Sequence, residues 1–181
     1  MKRNRFTLHV VLLLCFITAV GYAQKLPGLD ASPADIAYLR QDGRRSEPVA
    51  KIVYGRPLKK GRTMLGGNEP YGKVWRLGAN ETTEITLFKD VTFGDKKLSA
   101  GTYAMYTIPE KDKWTLIFNS KLDTWGAYEY DDTKDVARIE VPVGKPESEV
   151  EAFTITFEGA KGTGTLLMAW ENVLVKVPVK W

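Results

Sequence analysis

The stretch that decides the fold is residues 71–88, which read YGKVWRLGANETTEITLF. Apolar and polar residues alternate on both sides of a short Gly-Ala-Asn corner, as they do in strands with one buried face. Trp75 and Leu77 are expected to face the core together, as are Ile85 and Leu87 after the corner. The pattern therefore predicts a strand, a tight corner and a second strand.

Similar alternation recurs along the rest of the chain. It predicts about ten short strands separated by residues that favour turns. We therefore expect an all-β fold, an antiparallel β-sandwich of the jelly-roll type, with a barrel as the alternative. Trp75, Trp114 and Trp170 fall in predicted strands and are expected in the core. Residues 32–35 predict one short N-terminal helical turn, because serine, proline and an acid stand where helices begin.

The N-terminus has the three parts of a secretory signal peptide. Residues 1–23 contain a basic start, an apolar run of 15 residues and small residues before a predicted cleavage site after Ala23. An uncleaved anchor is less favoured, because a membrane span needs about 20 apolar residues. A lipoprotein modified at Cys15 is disfavoured, because Leu14 precedes the cysteine.

Cleavage divides the chain into three parts. Residues 1–23 would be removed, residues 24–47 would form a tether with the helical turn, and residues 48–181 would form a single β-sandwich domain. The expected location is periplasmic or secreted, and the mature chain is not expected to span a membrane.

The signal peptide also takes away much of the chain's chemistry. His9 and Cys15, the one histidine and the one cysteine, both lie in it, along with three basic residues. The mature chain then has no histidine or cysteine for nucleophilic triads or zinc sites. Its net charge falls from +4 to about +1, which gives no reason to expect nucleic-acid binding. We predict no cofactor and no metal ion.

Several short motifs together resemble a known family. They are YGRP at 54–57, GR at 61–62, the central stretch at 71–81, AGTY at 100–103, WGAY at 125–128 and AWEN at 169–172. This set resembles the bacterial domain-of-unknown-function 2911 family, from about Ser32 to the last strand. The resemblance implies an exported, β-rich protein and implies no particular activity.

The corner is the first candidate binding site. Arg76, Asn80 and Glu81 surround it, and a guanidinium, an amide and a carboxylate could together bind sugar hydroxyls or an anionic group. The structural alternative is a cross-strand ion pair between Arg76 and Glu84, with Asn80 in a left-handed turn conformation.

A basic loop is the second candidate. Arg56 and Arg62 lie in or beside a glycine-containing loop. They would form an anion-binding cluster with Arg76 if that loop folds back over the corner. The alternative is that they are solvated loop arginines.

An aromatic and acidic loop at residues 121–135 is the third candidate. Trp125 and Tyr128 could stack on a sugar ring while the acids bind its hydroxyls or a calcium ion. The loop lacks the glycine and distal glutamate of an EF-hand. The alternative is that the aromatic residues close one end of the core.

These candidates favour a binding protein over an enzyme. We expect an exported, non-catalytic binding or structural module of the cell envelope, with a glycan or a small anion as ligand. The alternative is a small carbohydrate-active enzyme, a glycosidase or lyase, that uses Glu81 with Asp131 or Asp135 as paired carboxylates. A further alternative is a subunit that binds an envelope protein partner through a flat apolar patch.

Overall fold

The computed structural model describes residues 24–181, so the predicted signal peptide, with His9 and Cys15, lies outside the described residues. Across that part of the chain no helix is long and apolar enough to cross a membrane. The described residues form eleven strands and one 3-10 turn, Asp132–Lys134. The strands are β1 (Ala34–Arg40), β2 (Pro48–Gly55), β3 (Ala79–Leu87), β4 (Val91–Phe93), β5 (Lys96–Leu98), β6 (Gly101–Pro109), β7 (Lys113–Asn119), β8 (Asp135–Gly144), β9 (Val150–Ala160), β10 (Thr163–Glu171) and β11 (Val173–Lys180).

The predicted N-terminal helical turn is wrong. Residues Ala34–Arg40 form β1 instead, and β1 pairs antiparallel with β2 along its length. Ala37 and Leu39 are buried while their neighbours on either side are not, which is the two-residue period of a strand. Pairing with β2 therefore outweighs the helix-start signal of Ser32 and Pro33.

The strands form one antiparallel path that nearly closes into a barrel. The order is β1-β2-β3-β6-β7-β8-β11-β10-β9, and the β4–β5 hairpin attaches to β11. The two ends of the path, β1 and β9, lie next to each other. Just after β2, Leu58 forms an antiparallel bridge with Ala152, and the Tyr54 hydroxyl accepts from the N–H of Ile155 at 3.1 Å. The predicted all-β antiparallel fold is confirmed, and its shape is closer to the barrel alternative than to a jelly-roll sandwich.

A cluster of aromatic rings fills the interior next to the corner. The predicted core residues Trp75, Trp114 and Trp170 are 2%, 1% and 0% exposed. Trp75 stacks on Trp170 with ring centroids 5.5 Å apart and meets Trp114 edge-on at 5.9 Å. Trp75 forms only an isolated bridge with Thr107, so the first of the two strands predicted around the corner is not a regular strand. The aromatic contacts nevertheless fix this segment in the core.

Candidate functional site

The corner is a close-packed turn. Asn80 has φ 61° and Leu77 has φ 55°, both in the left-handed region that asparagine tolerates better than most residues. A Cβ added at Gly78 would lie 2.8 Å from the carbonyl oxygen of Gly55. The Trp75 indole donates to the Gly78 carbonyl at 3.1 Å. The predicted left-handed conformation of Asn80 is confirmed. The hydrogen bond from the buried Trp75 holds the corner in place.

The corner and the aromatic loop, predicted as separate candidates, lie side by side. The N–H of Gly126 donates to the carbonyl of Asn80 at 3.0 Å. Glu81 forms an isolated antiparallel bridge with Trp125. These contacts place Trp125 next to Glu81. The structure therefore joins two of the three predicted candidate sites into one surface.

A chain of buried hydroxyl groups fastens the aromatic loop from below. The Thr82 hydroxyl donates to the Gly126 carbonyl at 2.6 Å. It must then accept from the Thr124 hydroxyl at 2.8 Å, which in turn accepts from Tyr106 at 2.9 Å, because each hydroxyl carries one proton. All three hydroxyl residues are buried. Losing any one of these hydroxyl groups would remove at least one buried hydrogen bond.

A cleft of about 270 Å³ opens beside the corner. Its charged lining residues are Glu81, Glu84 and Asp123, which are all acidic. Glu84 accepts a hydrogen bond from the N–H of Asp123 at 3.0 Å. The alternative ion pair between Arg76 and Glu84 is not among the salt bridges of the described residues. A lining of this charge disfavours anions and suits hydroxylated or cationic ligands.

The loop that is bonded to Asn80 and Glu81 carries two exposed aromatic rings. Trp125 and Tyr128 are 58% and 81% exposed, and their planes lie 10° from parallel with centroids 5.8 Å apart. Gly126 has φ +70°, and a Cβ there would lie 2.8 Å from the Tyr128 ring. The alternative in which these two aromatics close the core is therefore wrong, because both rings lie at the surface.

A second recess of about 250 Å³ lies on the Tyr128 side of the aromatic pair. Glu69 and Arg76 are its charged lining residues. Burial raises the pKa of the Glu69 carboxyl, and the nearby Arg76 charge partly opposes that rise. The sequence predicts Arg76 as a site residue but not Glu69, because the loop around Glu69 has no periodic pattern. The one available signal was a polar cluster between Gly67 and Pro70.

The other two predicted arginines do not line this recess. Arg56 pairs with Asp35 at 2.8 Å and donates to the Thr154 hydroxyl at 3.0 Å. Arg62 donates to the carbonyls of Lys59 and Leu58 at 2.9 and 2.8 Å. Arg56 thus ties β1 and β9 to the end of β2, and Arg62 stabilises its own loop. The structure does not assemble them with Arg76 into one cluster.

The acids of the aromatic loop hold the loop's own shape. Asp131 caps the 3-10 turn by accepting from the N–H of Thr133 at 3.0 Å. Asp135 accepts from the Tyr130 hydroxyl and from Arg138, each at 2.7 Å. Burial, followed by this hydrogen bond, raises the pKa of Tyr130. Over residues 24–181 no group of three or more acidic, histidine or cysteine side chains is placed to hold a metal ion.

Comparison with known proteins places the chain in a family. No curated protein matches it, and no solved structure matches it. A family model described as protein of unknown function, DUF2911, matches residues 39–179. That span runs from the end of β1 to the last strand and includes the corner, the three acidic residues of the cleft and the aromatic pair. The chain therefore belongs to the DUF2911 family, as its motifs indicated.

Proposed function

We propose that this chain is an exported, non-catalytic module that binds glycans. The observation that carries the proposal is the exposed Trp125–Tyr128 pair, whose rings are nearly parallel. Its loop is bonded to Asn80 and Glu81, which line the acidic cleft. Large exposed aromatic rings cost solvation free energy, and an exposed apolar surface of this kind commonly marks a binding site. A sugar offers an apolar ring face to stack on such a surface.

The cleft supplies the polar half of that recognition. Glu81, Glu84 and Asp123 present carboxylate oxygens, which accept hydrogen bonds from hydroxyl groups. Asn80 adds a side-chain amide, although its nitrogen already donates to Asp30 at 3.0 Å. A ligand with one apolar face and many hydroxyl groups matches both parts of the surface, and a pyranose has that composition.

The surface is also pre-organised. Backbone contacts at Asn80 and Glu81 hold the aromatic loop, and the buried hydroxyl chain below holds it a second time. A rigid loop loses little conformational entropy on binding, so more of the contact energy contributes to affinity.

Export is the second half of the proposal. It is supported by the signal-like pattern of residues 1–23, which lie outside the described part of the chain. A glycan ligand suits a periplasmic or secreted protein, where envelope polysaccharides are in contact with it.

Binding of the mature chain to a panel of soluble oligosaccharides and insoluble polysaccharides tests the proposal. We expect Trp125→Ala and Tyr128→Ala each to lower affinity by about tenfold or more, as central aromatic contacts do. Phe88→Ala is the matched control, because Phe88 is also an exposed aromatic residue, at 49%, but follows the end of β3 opposite to the corner. Equal losses in all three variants, or none in any, would contradict the proposed site.

The same panel separates binding from catalysis. Glu81 shares the cleft with two further carboxylates, which is the observation that favours a carboxylate-dependent glycosidase or lyase. Reducing-end assays on bound glycans should show no product with the native protein. Turnover that Glu81→Gln abolishes while binding persists would replace the binding proposal with the enzyme.

A further inference from the structure

The recess beside Tyr128 contains an arginine whose hydrogen-bonding capacity the protein does not use. Arg76 is half-buried, and its Nε is buried with no hydrogen-bond partner among the described residues. The salt bridges found across residues 24–181 do not include Arg76. Buried polar groups are normally satisfied, so an arginine left in this condition calls for a functional explanation.

The backbone around Arg76 explains why the side chain stays there. The N–H of Thr83 donates to the Arg76 carbonyl at 3.2 Å, and the neighbouring Trp75 and Leu77 are 2% and 0% exposed. Core residues on both sides therefore fix the direction of Arg76 toward the recess. Its guanidinium is a planar fork that binds a carboxylate through two parallel hydrogen bonds.

We propose that the recess binds the carboxylate of an acidic, uronic-type sugar, with Arg76 holding the carboxylate and Tyr128 contacting the sugar ring. This inference rests on the proposed glycan-binding function and assigns one acidic sugar unit to the recess, apart from the acidic cleft. Tyr128 belongs both to the aromatic pair and to the wall of the recess. A ring stacked on Tyr128 therefore lies within the recess that Arg76 lines.

Glu69 sets the charge of the recess. Burial raises the pKa of its carboxyl, so this group takes up a proton more readily than an exposed glutamate. The titratable and charged groups that line the recess with it are Arg76 and Tyr128. A protonated Glu69 donates a hydrogen bond to a ligand carboxylate, whereas an ionised Glu69 repels it. Glu69→Gln, which resembles the protonated form, should therefore strengthen binding of the acidic sugar.

Cellobiouronic acid and its methyl ester provide the test, because they share their rings and differ only in the charge of one carboxyl group. Isothermal titration of the mature native protein should give an affinity about tenfold to a hundredfold higher for the acid, the range of hydrogen bonds to charged groups. Arg76→Gln should lower the affinity for the acid to that of the ester. Arg62→Gln is the matched control, since Arg62 is an exposed arginine outside the recess.

The outcomes separate this inference from the glycan-binding function on which it rests. Equal affinity of the native protein for acid and ester overturns the carboxylate site and leaves glycan binding standing. Failure of both ligands to bind also overturns the carboxylate site, and the panel of neutral glycans then decides the glycan-binding function separately. Weaker binding of the acid by Glu69→Gln also overturns the inference, because it would mean that the ionised glutamate contributes. The comparison of acid and ester uses only native protein, so it decides the matter even if Arg76→Gln does not fold.

Discussion

Replacing Thr82 with valine should loosen the aromatic loop and destabilise the whole protein. The Thr82 hydroxyl donates to the Gly126 carbonyl at 2.6 Å and accepts from Thr124 at 2.8 Å. Valine has nearly the same shape but leaves the Gly126 carbonyl without this hydrogen bond, and the Thr124 hydroxyl with Tyr106 alone, at a site that is 6% exposed. An unmet buried group costs about 1–3 kcal/mol. We expect a loss of about 2 kcal/mol, which lowers Tm by about 4–8 °C in a domain of this size.

Thermal denaturation and amide hydrogen exchange would measure this effect. The Gly126 amide, which donates to Asn80, should lose protection in Thr82→Val before the rest of the sheet does. Thr86→Val is the matched control on the same strand, because the Thr86 hydroxyl is half-buried and lies a longer 3.3 Å from Thr102. If the two variants have the same Tm and the Gly126 amide stays protected, the hydroxyl chain does not hold the loop.

Three further predictions concern single side chains. Burial raises the pKa of Glu69. Protonated Glu69 therefore stabilises the fold below the unfolded pKa, and this stabilisation is lost as pH rises through the folded pKa. As pH rises from about 4 to about 8, the Tm of Glu69→Gln should increase relative to that of the native protein. A Tm difference that does not change with pH would refute this. Gly126→Ala should lower the free energy of unfolding by about 1–2 kcal/mol, because of the positive φ, and should displace the Tyr128 ring; unchanged Tm and tryptophan fluorescence would contradict it. Asp135→Asn should cost about 2 kcal/mol by urea denaturation, because the Asp135 side chain is 10% exposed and paired with Arg138. The exposed Asp132→Asn should cost almost nothing, and equal effects would show that the bonds of Asp135 to Tyr130 and Arg138 do not stabilise the loop.

Much of the fold could be predicted from local alternation. The hairpin of β6 and β7 and the three closing strands β9, β10 and β11 all fall where apolar and polar residues alternate between turn signals. The helix-start signal at Ser32 gave a wrong prediction. Pairing with β2 stabilises β1 as a strand, and local sequence does not encode that contact. The near closure of the barrel depends on contacts between β1 and β9, from opposite ends of the chain.

The candidate site was predictable only in pieces. Asn80 could be assigned a left-handed turn from its residue type, and Trp125 and Tyr128 stood out as aromatic residues in a polar loop. That the corner and the aromatic loop lie side by side could not be predicted from the sequence. It depends on contacts such as the one between Thr82 and Thr124, 42 positions apart. Glu69 could not be predicted as a site residue for a different reason: its raised pKa comes from burial, which exists only in the folded protein.

The indole N–H signals of the five tryptophans test most directly whether the cleft and the aromatic pair form one glycan site. Trp75, Trp114 and Trp170 are buried and serve as internal controls, whereas Trp125 is 58% exposed. Cellotetraose, chitotetraose and trigalacturonate would be titrated in turn into ¹⁵N-labelled mature protein. We predict that the Trp125 signal moves in a saturable way with at least one of them while the three buried signals stay in place. A binding glycan that leaves Trp125 unmoved, or moves only Trp181, would contradict the account.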